Sequence, residues 1–507
     1  IKLLKKGAVI NIARENMLNV FTELMGPFQI INKIGAKSKV MYTRTVREML
    51  SVLLSKFTTS SGISSKVEIT CSWDGENWVY KDKSRLFFLS PLEKYLIGRI
   101  LAGDWNHYTN DFPIPLCVQL INGGAKEMFV SFYKNSFPDI LDHFPTAPSS
   151  EEDWNQKVND FNDEVIEKTF TTVIDFKFFD TGILAPVISY VLMGYLDYYG
   201  IDRKMLNLDG REKYSKEAAN RNLIIALVIY CAMGTAIKPI PNVDGSGYSL
   251  IAKALPSGDI FTAILNSMIN LSVNWYVFSK FFKVTPSYIM KLMGIKVYGD
   301  DLMITFWKRI FFETGVKWDL SAIRKLYNEF NFNMHEEDGQ ICNRVVASNT
   351  GAPNENASFV MLEFLKNWFV MRWCPKHEIC EMAFGRDMTK IGPKIWLSSF
   401  YVVTLTFIMH RLRNMAYTNA LKSTYNQFLK IYNICSDPSI PPYYENGLDI
   451  REDMMDDYMH DKIKLYRMWE LETSVFPSYE QVAEFLFCPN ENPSITDFAA
   501  TVFERLD

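Results

Sequence analysis

Gly294-Ile-Lys-Val-Tyr-Gly-Asp-Asp-Leu-Met-Ile-Thr-Phe306 is the stretch on which the reading of this 507-residue chain turns. Ile295 and Val297 alternate on one side of a Gly-Asp turn, and Leu302, Ile304 and Phe306 alternate on the other. That period of two predicts a pair of half-buried antiparallel strands around a tight turn. Gly299 gives the turn its backbone freedom, and the turn throws Asp300 and Asp301 off the end of the sheet. Two carboxylates this close repel each other, and a divalent cation offsets that repulsion. The alternative is an ordinary hairpin with two solvated acids. Gly, Asp and Asp are common enough that the tripeptide alone decides nothing.

Composition sets broad bounds. The length allows two or three packed regions. With 48% hydrophobic and 22% charged residues, and no low-complexity tract or repeat, the chain reads as an ordinary globular protein rather than a disordered or fibrous one. Eight Cys without framework spacing predict reduced thiols, and Cys374-x-x-His377-x-x-Cys380 lacks a fourth ligand for zinc. The uncharged stretch Asn222–Ile237 is short for a membrane span. Ile260–Ser279 is long enough but carries Asn266, Asn270 and Asn274 as a polar stripe at i, i+4, i+8. Both predict helices buried in protein, and no transmembrane segment is expected.

The net charge of -4 hides an uneven distribution. Residues 1–100 hold 16 Lys/Arg against 8 Asp/Glu, whereas 441–507 hold 5 against 15. A basic lining with an acidic exterior attracts phosphate while keeping the whole soluble. Along the chain, the pattern predicts a loop-rich region at 137–153, a strand at 173–179 and a helix at 186–199. A buried helix at 221–237 and a Pro/Gly-rich loop at 239–247 follow. After the hairpin come a helix at about 319–330, a loop at 335–357, a strand-like turn at 359–364 and mainly helix from 368 onward. The order implies an α+β layer, an antiparallel sheet with helices on one face.

Upstream of the hairpin, Asp175-Phe-Lys-Phe-Phe-Asp180 puts Asp175 at the end of an apolar strand. If that strand neighbours the hairpin, three carboxylates from two elements can hold two Mg²⁺ ions about 3.5–4 Å apart. Between them, Leu255-Pro-Ser-Gly258-Asp-Ile-Phe-Thr262 leads into the Asn-striped helix, with Thr262 and Asn266 on one face. A Ser-Gly loop at the positive end of a helix suits contact with a nucleic-acid backbone.

Asp175-x4-Asp180, then Pro256-Ser-Gly258…Thr262…Asn266-Ser-Met-Ile-Asn270, then Tyr298-Gly-Asp-Asp301 resembles motifs A, B and C of viral RNA-dependent RNA polymerases. The pattern is that of the picornavirus-like supergroup, with the partitivirus and picobirnavirus branch of double-stranded RNA viruses as a further resemblance. Lys83-Ser-Arg85-Leu86 is similar to basic motif F, and Phe364-Leu-Lys366 to motif E. The order of five motifs makes the resemblance specific.

The resemblance implies a right-hand polymerase with an antiparallel-sheet palm and a mainly helical thumb. Fingers would span 1–170 and 200–240, palm 171–199 and 241–367, and thumb 368–507. Asp175, Asp300 and Asp301 would bind two Mg²⁺ ions, with Mn²⁺ as a substitute. Lys83 and Arg85 would hold the triphosphate of an NTP, and Asp180, Thr262 and Asn266 would read its ribose. Ser257 and Gly258 would steer the RNA template, and Lys366 would meet the primer or nascent strand. Capsid protein is a candidate partner, and the host cytoplasm or the virion interior is the expected location. The chain departs from the family at Phe332-Asn-Met-His-Glu-Glu-Asp-Gly339, which has no Lys in the motif D position. His335 is an available proton donor there, with an ordinary surface histidine as the alternative. Tyr443 and Tyr444 form a candidate stacking platform for unprimed initiation, with a surface turn that packs one Tyr inward as the alternative. A reverse transcriptase or an inactive RNA-binding subunit are the alternatives.

Overall fold

The computed structural model describes residues 6–385, with gaps at 30–40, 74–77, 103–112, 117–122, 335–341 and 346–359 and at a few single positions or pairs. It also describes short stretches between 422 and 487. Lys366, Ser257, His335, Tyr443 and Tyr444 lie outside the described residues.

Helix α1 (Lys6–Met25) precedes a short pair of strands, β1 (Phe28–Gln29) and β2 (Met41–Tyr42). Helix α2 (Val46–Lys56) starts at a capping box, in which Thr45 and Glu48 each satisfy the other's backbone N–H. A long antiparallel hairpin follows, β3 (Gly62–Trp73) with β4 (Trp78–Leu89), and then α3 (Leu92–Ala102), α4 (Gly124–Tyr133) and α5 (Glu151–Lys168). Ser150 caps α5, and three acids in its first turn suit the helix dipole. The expected loop at 137–153 therefore holds only a 3₁₀ turn at Ile140–His143 before α5 begins.

Strand β5 covers Thr169–Ile174, earlier than the expected 173–179, because Thr169 to Val173 is the β-branched run and Asp175 interrupts it. β6 (Phe176–Lys177) and the one-turn α6 (Phe179–Gly182) take up the rest. α7 (Ala185–Tyr198) and α8 (Lys216–Ala236) fall where the apolar pattern places them. Among the described residues α8 is the one helix long and apolar enough to cross a membrane, yet 72% of its apolar window is buried inside the protein.

The Pro/Gly-rich segment expected as a loop is a hairpin, β7 (Lys238–Pro241) with β8 (Tyr248–Ile251). The turn between them is closed by the Asn242 N–H donating to the Gly247 carbonyl. The two prolines are tolerated because a two-stranded ribbon is all edge. Next come α9 (Thr262–Phe282), α10 (Pro286–Leu292), β9 (Met293–Tyr298), β10 (Asp301–Trp307), α11 (Arg309–Thr314) and α12 (Leu320–Asn328). β11 (Asn333–Met334) pairs with β6. β12 (Cys342–Arg344) runs parallel to β13 (Val360–Met361).

Residues 368–385, expected as helix, are mostly strand: β14 (Glu363–Phe364), β15 (Asn367–Cys374) and β16 (Ile379–Gly385) form an antiparallel meander. The aromatic and β-branched run Trp368-Phe-Val-Met-Arg-Trp373 packs well on a pleated surface, which outweighs its helical spacing. α13 (Tyr479–Phe487) packs on this meander's side of the molecule.

The central sheet has the order β5-β10-β9, all antiparallel. Period-2 alternation holds, but both faces are covered. Phe170, Ile174, Ile295, Val297, Leu302, Ile304 and Phe306 join a core with α7, α8, α9 and α12. Val173, Tyr298 and Met303 meet a second core built on α4, α5 and β15–β16. The expectation of helices on one face of a half-buried sheet is thus corrected. The alternate residues Gly294, Lys296 and Thr305 read as solvent-facing, yet Lys296 and Thr305 are buried.

The second face manages its polarity internally. Thr171 Oγ1 donates to Thr305 Oγ1 at 3.0 Å, Ser136 Oγ lies 3.2 Å from the same oxygen, and Tyr133 Oη lies 3.3 Å from Thr171 Oγ1. Gly294 lets α4 close down. A Cβ there would sit 1.8 Å from the Phe132 carbonyl oxygen and 2.8 Å from Thr305 Cγ2. Neither backbone nor the buried threonine can yield cheaply. Gly294→Ala should therefore destabilise the protein by about 1–3 kcal/mol, the usual range for overpacking. Chemical denaturation of the two proteins checks this, and equal midpoints would refute it.

Candidate active site

The hairpin expectation holds at atomic detail. Tyr298 pairs with Asp301, so Gly299 and Asp300 form a two-residue loop, and Gly299 takes φ 66°. A positive φ at the first loop position is where glycine is favoured. β5 lies on the other side of β10, with Ile174 opposite Leu302. Asp175 directly follows Ile174 and Asp301 directly precedes Leu302, so both acids lie at the same end of the paired strands. Asp300 is exposed, while Asp175 and Asp301 are half-buried at the end of a sheet that is otherwise dry. Asp175 Oδ1 accepts the Phe176 N–H at 2.9 Å.

Helix α9 grips the loop between these acids. Ser267 Oγ accepts the Gly299 N–H at 2.8 Å. Asn270 Nδ2 donates to the Gly299 carbonyl at 3.0 Å and to the Asp300 carbonyl at 3.4 Å. One turn earlier, Asn266 Nδ2 donates to Asp180 Oδ1, and so ties α6 to α9. Asp180 and Asn266, singled out from sequence, are thus brought together. Asn266 Oδ1 is buried and has no hydrogen-bond partner among the described residues. A buried acceptor left without a donor costs free energy, and such a group calls for an explanation.

Thr262 stands at the start of the same helix, but its hydroxyl donates to the Asp259 carbonyl at 2.9 Å. Gly258 takes φ 98°, and a Cβ there would lie 2.8 Å from the Phe88 carbonyl oxygen at the end of β4. Lys83 and Arg85 are alternate residues of β4, opposite Glu68 and Lys66 in the backbone register. The Gly258 loop is therefore in backbone contact with the strand that carries the two basic residues.

Sequence reasoning missed a buried charge cluster behind this loop. Lys94 of α3 is fully buried and bonds Asp259 Oδ2, which also accepts from Ser90 Oγ at 2.9 Å. The Phe261 N–H donates to Asp259 Oδ1 at 3.1 Å. Gly98, one turn along α3, leaves room for Ile260, whose Cγ2 would lie 2.3 Å from a Cβ at that position. Lys238 is also fully buried and donates to the carbonyls of Ala254 at 2.7 Å and Thr235 at 3.2 Å. The one available signal was a lysine within an apolar helix, which a surface reading explains as well.

The donor set Asp175, Asp300 and Asp301 offers hard carboxylate oxygens of the kind Mg²⁺ and Mn²⁺ prefer. Among the described residues no three His, Cys, Asp or Glu side chains converge closely enough to hold a metal ion in this conformation. The backbone register places the three acids at one end of the sheet.

Comparison with known proteins bears directly on these elements. Residues 232–377, from the end of α8 through the hairpin to the β15–β16 turn, match the family model described as viral RNA-dependent RNA polymerase. The chain is 43% identical over 60 residues to the genome polyprotein of human hepatitis A virus genotype IIIB, covering 12% of this chain and 3% of that polyprotein. It is 45% identical over 53 residues to the genotype IIB polyprotein, covering 10% and 2% respectively. The chain thus spans only a few hundredths of the length of these curated relatives. Among solved structures, the Sicinivirus 3Dpol RNA dependent RNA polymerase superposes with a TM-score of 0.42 at 14% identity, over 76% of this chain and 64% of that one. Over residues 232–377 the chain is thus similar to the viral RNA-dependent RNA polymerase family.

Burial pushes the Lys238 ammonium down to about 8, with the Lys94 charge adding to the effect and Asp259 opposing it. Unfolded, the same lysine keeps its proton up to its ordinary value of 10.5. Between those values the unfolded chain binds more protons than the folded one, so this contribution to stability rises with pH. Wild type should gain stability relative to Lys238→Met as pH climbs from about 8 toward 10.5. Denaturation midpoints across that window check it, and a constant difference would refute it.

Proposed function

We propose that this chain is a template-directed RNA polymerase that joins NTPs into RNA on an RNA template during viral replication and transcription. The observation that carries the reading is Asn266. Its amide nitrogen is committed to Asp180 while its buried oxygen waits for a donor, one helical turn from the side chain that holds the Asp300 loop. A ribose hydroxyl supplies such a donor, and Asp180 is the acidic neighbour that would share it.

Asp175, Asp300 and Asp301 would hold two Mg²⁺ ions, which neutralise the triphosphate charge and polarise the reacting oxygens when bound. The protein's own part is positioning. Asp180 and Asn266 would orient the ribose, and Lys83 and Arg85 would hold the triphosphate. Gly258 with Ser257 would guide the template, and Lys366 the growing strand. Thr262 would join the ribose-reading set after releasing the Asp259 carbonyl. In this reading the fingers comprise 1–170 and 200–240, the palm 171–199 and 241–367, and the thumb 368–507. Capsid protein as partner, and the host cytoplasm or virion as location, belong to the same proposal.

RNA-templated incorporation of labelled NTPs by the purified chain tests the reading, with Mg²⁺ and then Mn²⁺ as the added metal. Asp300→Ala should lower synthesis by several orders of magnitude while RNA binding persists. Near-normal synthesis by that variant would sink the metal assignment. Incorporation on an RNA template of dNTPs in preference to NTPs would favour a reverse transcriptase instead.

Asn266→Ala tests the sugar contact separately. A site that hydrogen-bonds a hydroxyl rejects the analogue lacking it, because its buried polar groups are left unpaired. The variant should erode the NTP/dNTP ratio of kcat/KM more than it weakens base selection. An unchanged ratio would remove Asn266 from the ribose site.

A further inference from the structure

Three fully buried polar side chains extend from the Asp300 loop, along α9, to α12. Tyr327 Oη donates to Asn274 Oδ1 at 2.5 Å. Asn274 Nδ2 donates to Asn270 Oδ1 at 2.7 Å and to the Asn270 carbonyl at 2.8 Å. Asn270 Nδ2 then donates to the Gly299 and Asp300 carbonyls. None of the three touches the acid side chains themselves through these bonds.

The direction of the chain is fixed by its far end. Backbone carbonyls can only accept, so Asn270 must present its NH₂ to the loop. Its Oδ1 then faces Asn274, which must answer with an NH₂, as the Asn270 backbone carbonyl also requires. That leaves Asn274 Oδ1 facing Tyr327, whose hydroxyl must donate. Flipping either amide would set acceptor against acceptor at two places in a dry interior. Tyr327 is suited to the donor role because burial holds its hydroxyl well above the ordinary titration range.

We propose that Tyr327, Asn274 and Asn270 act as a one-way hydrogen-bond chain that sets the position of the Gly299-Asp300 loop from α12. Tyr327 is then a positioning residue for the carboxylates, acting through two asparagines. The placement of the loop stands on the structure alone; its consequence for metal binding rests on the polymerase reading. Without the hydroxyl, Asn274 Oδ1 is left buried without a donor. Asn274 keeps its orientation from the Asn270 acceptors but loses its tie to α12, and the grip of Asn270 on the loop loosens in turn.

Hydrogen–deuterium exchange of the full chain, followed in peptides covering 293–307, tests the placement. Tyr327→Phe should raise exchange at the loop about tenfold, the effect of losing one buried hydrogen bond. Ile323→Val, a buried truncation on the same helix outside the chain, should not. In an Asn270→Ala background the tyrosine substitution should add nothing, because the last link is already gone. Unchanged exchange in Tyr327→Phe, or equal acceleration by Ile323→Val, overturns the proposal.

Mn²⁺ binding measured by paramagnetic resonance separates the two readings. A wild-type site abolished by Asp300→Ala and weakened several-fold by Tyr327→Phe supports both. Absence of any such site, with the exchange result intact, overturns the polymerase reading and leaves the positioning chain standing. Binding that Asp300→Ala abolishes and Tyr327→Phe leaves unchanged overturns the tyrosine's role toward the carboxylates.

Discussion

A single helix face holds the two acid-bearing elements in register. Asn266 ties α9 to Asp180, and Ser267 and Asn270, within one further turn, tie it to the Gly299-Asp300 loop. The 1.5 Å rise per residue of α9 therefore sets the spacing between the segment that follows Asp175 and the hairpin that carries Asp300. Covalent continuity could not do this, because the two lie more than a hundred residues apart. Neither element makes its own site.

The sheet behind this arrangement is dry on both faces. Apolar residues of β5, β9 and β10 fill one core, and α4 closes the other face through the gap left by Gly294. Polar groups on the covered face satisfy one another, as Thr171, Thr305 and Ser136 do. The exposed part of the central hairpin is its loop end, at Asp300. Packing on both sides leaves the strands little freedom, and that rigidity fixes where the loop carboxylate stands.

How much of this the sequence disclosed depends on how local each signal was. The hairpin, its loop and the Asn stripe were legible because periodicity and turn chemistry act over a few residues. The pairing of Asp180 with Asn266 came from resemblance to a family, and the structure bears out that they meet. Burial of the second sheet face was illegible, because Gly294, Lys296 and Thr305 look like solvent-facing alternates until α4 is known to cover them. The strands of 368–385 were misread because an aromatic-rich run fits either period. Lys94 and Asp259 could not be paired from sequence, since nothing local connects residues so far apart.

That buried pair has a consequence for how this chain can change over time. Asp259 takes bonds from Lys94, Ser90 and its own loop, and both charged side chains are out of water. Losing either charge alone strands the other in a low-dielectric interior, at a cost of about 3–5 kcal/mol, whereas replacing both with apolar groups that fit can be nearly neutral. Drift at positions 94 and 259 is thus confined to paired steps. Among relatives, the two should be found either both charged or both apolar, a covariation that would mark the contact between α3 and the loop before α9 without any structure at all.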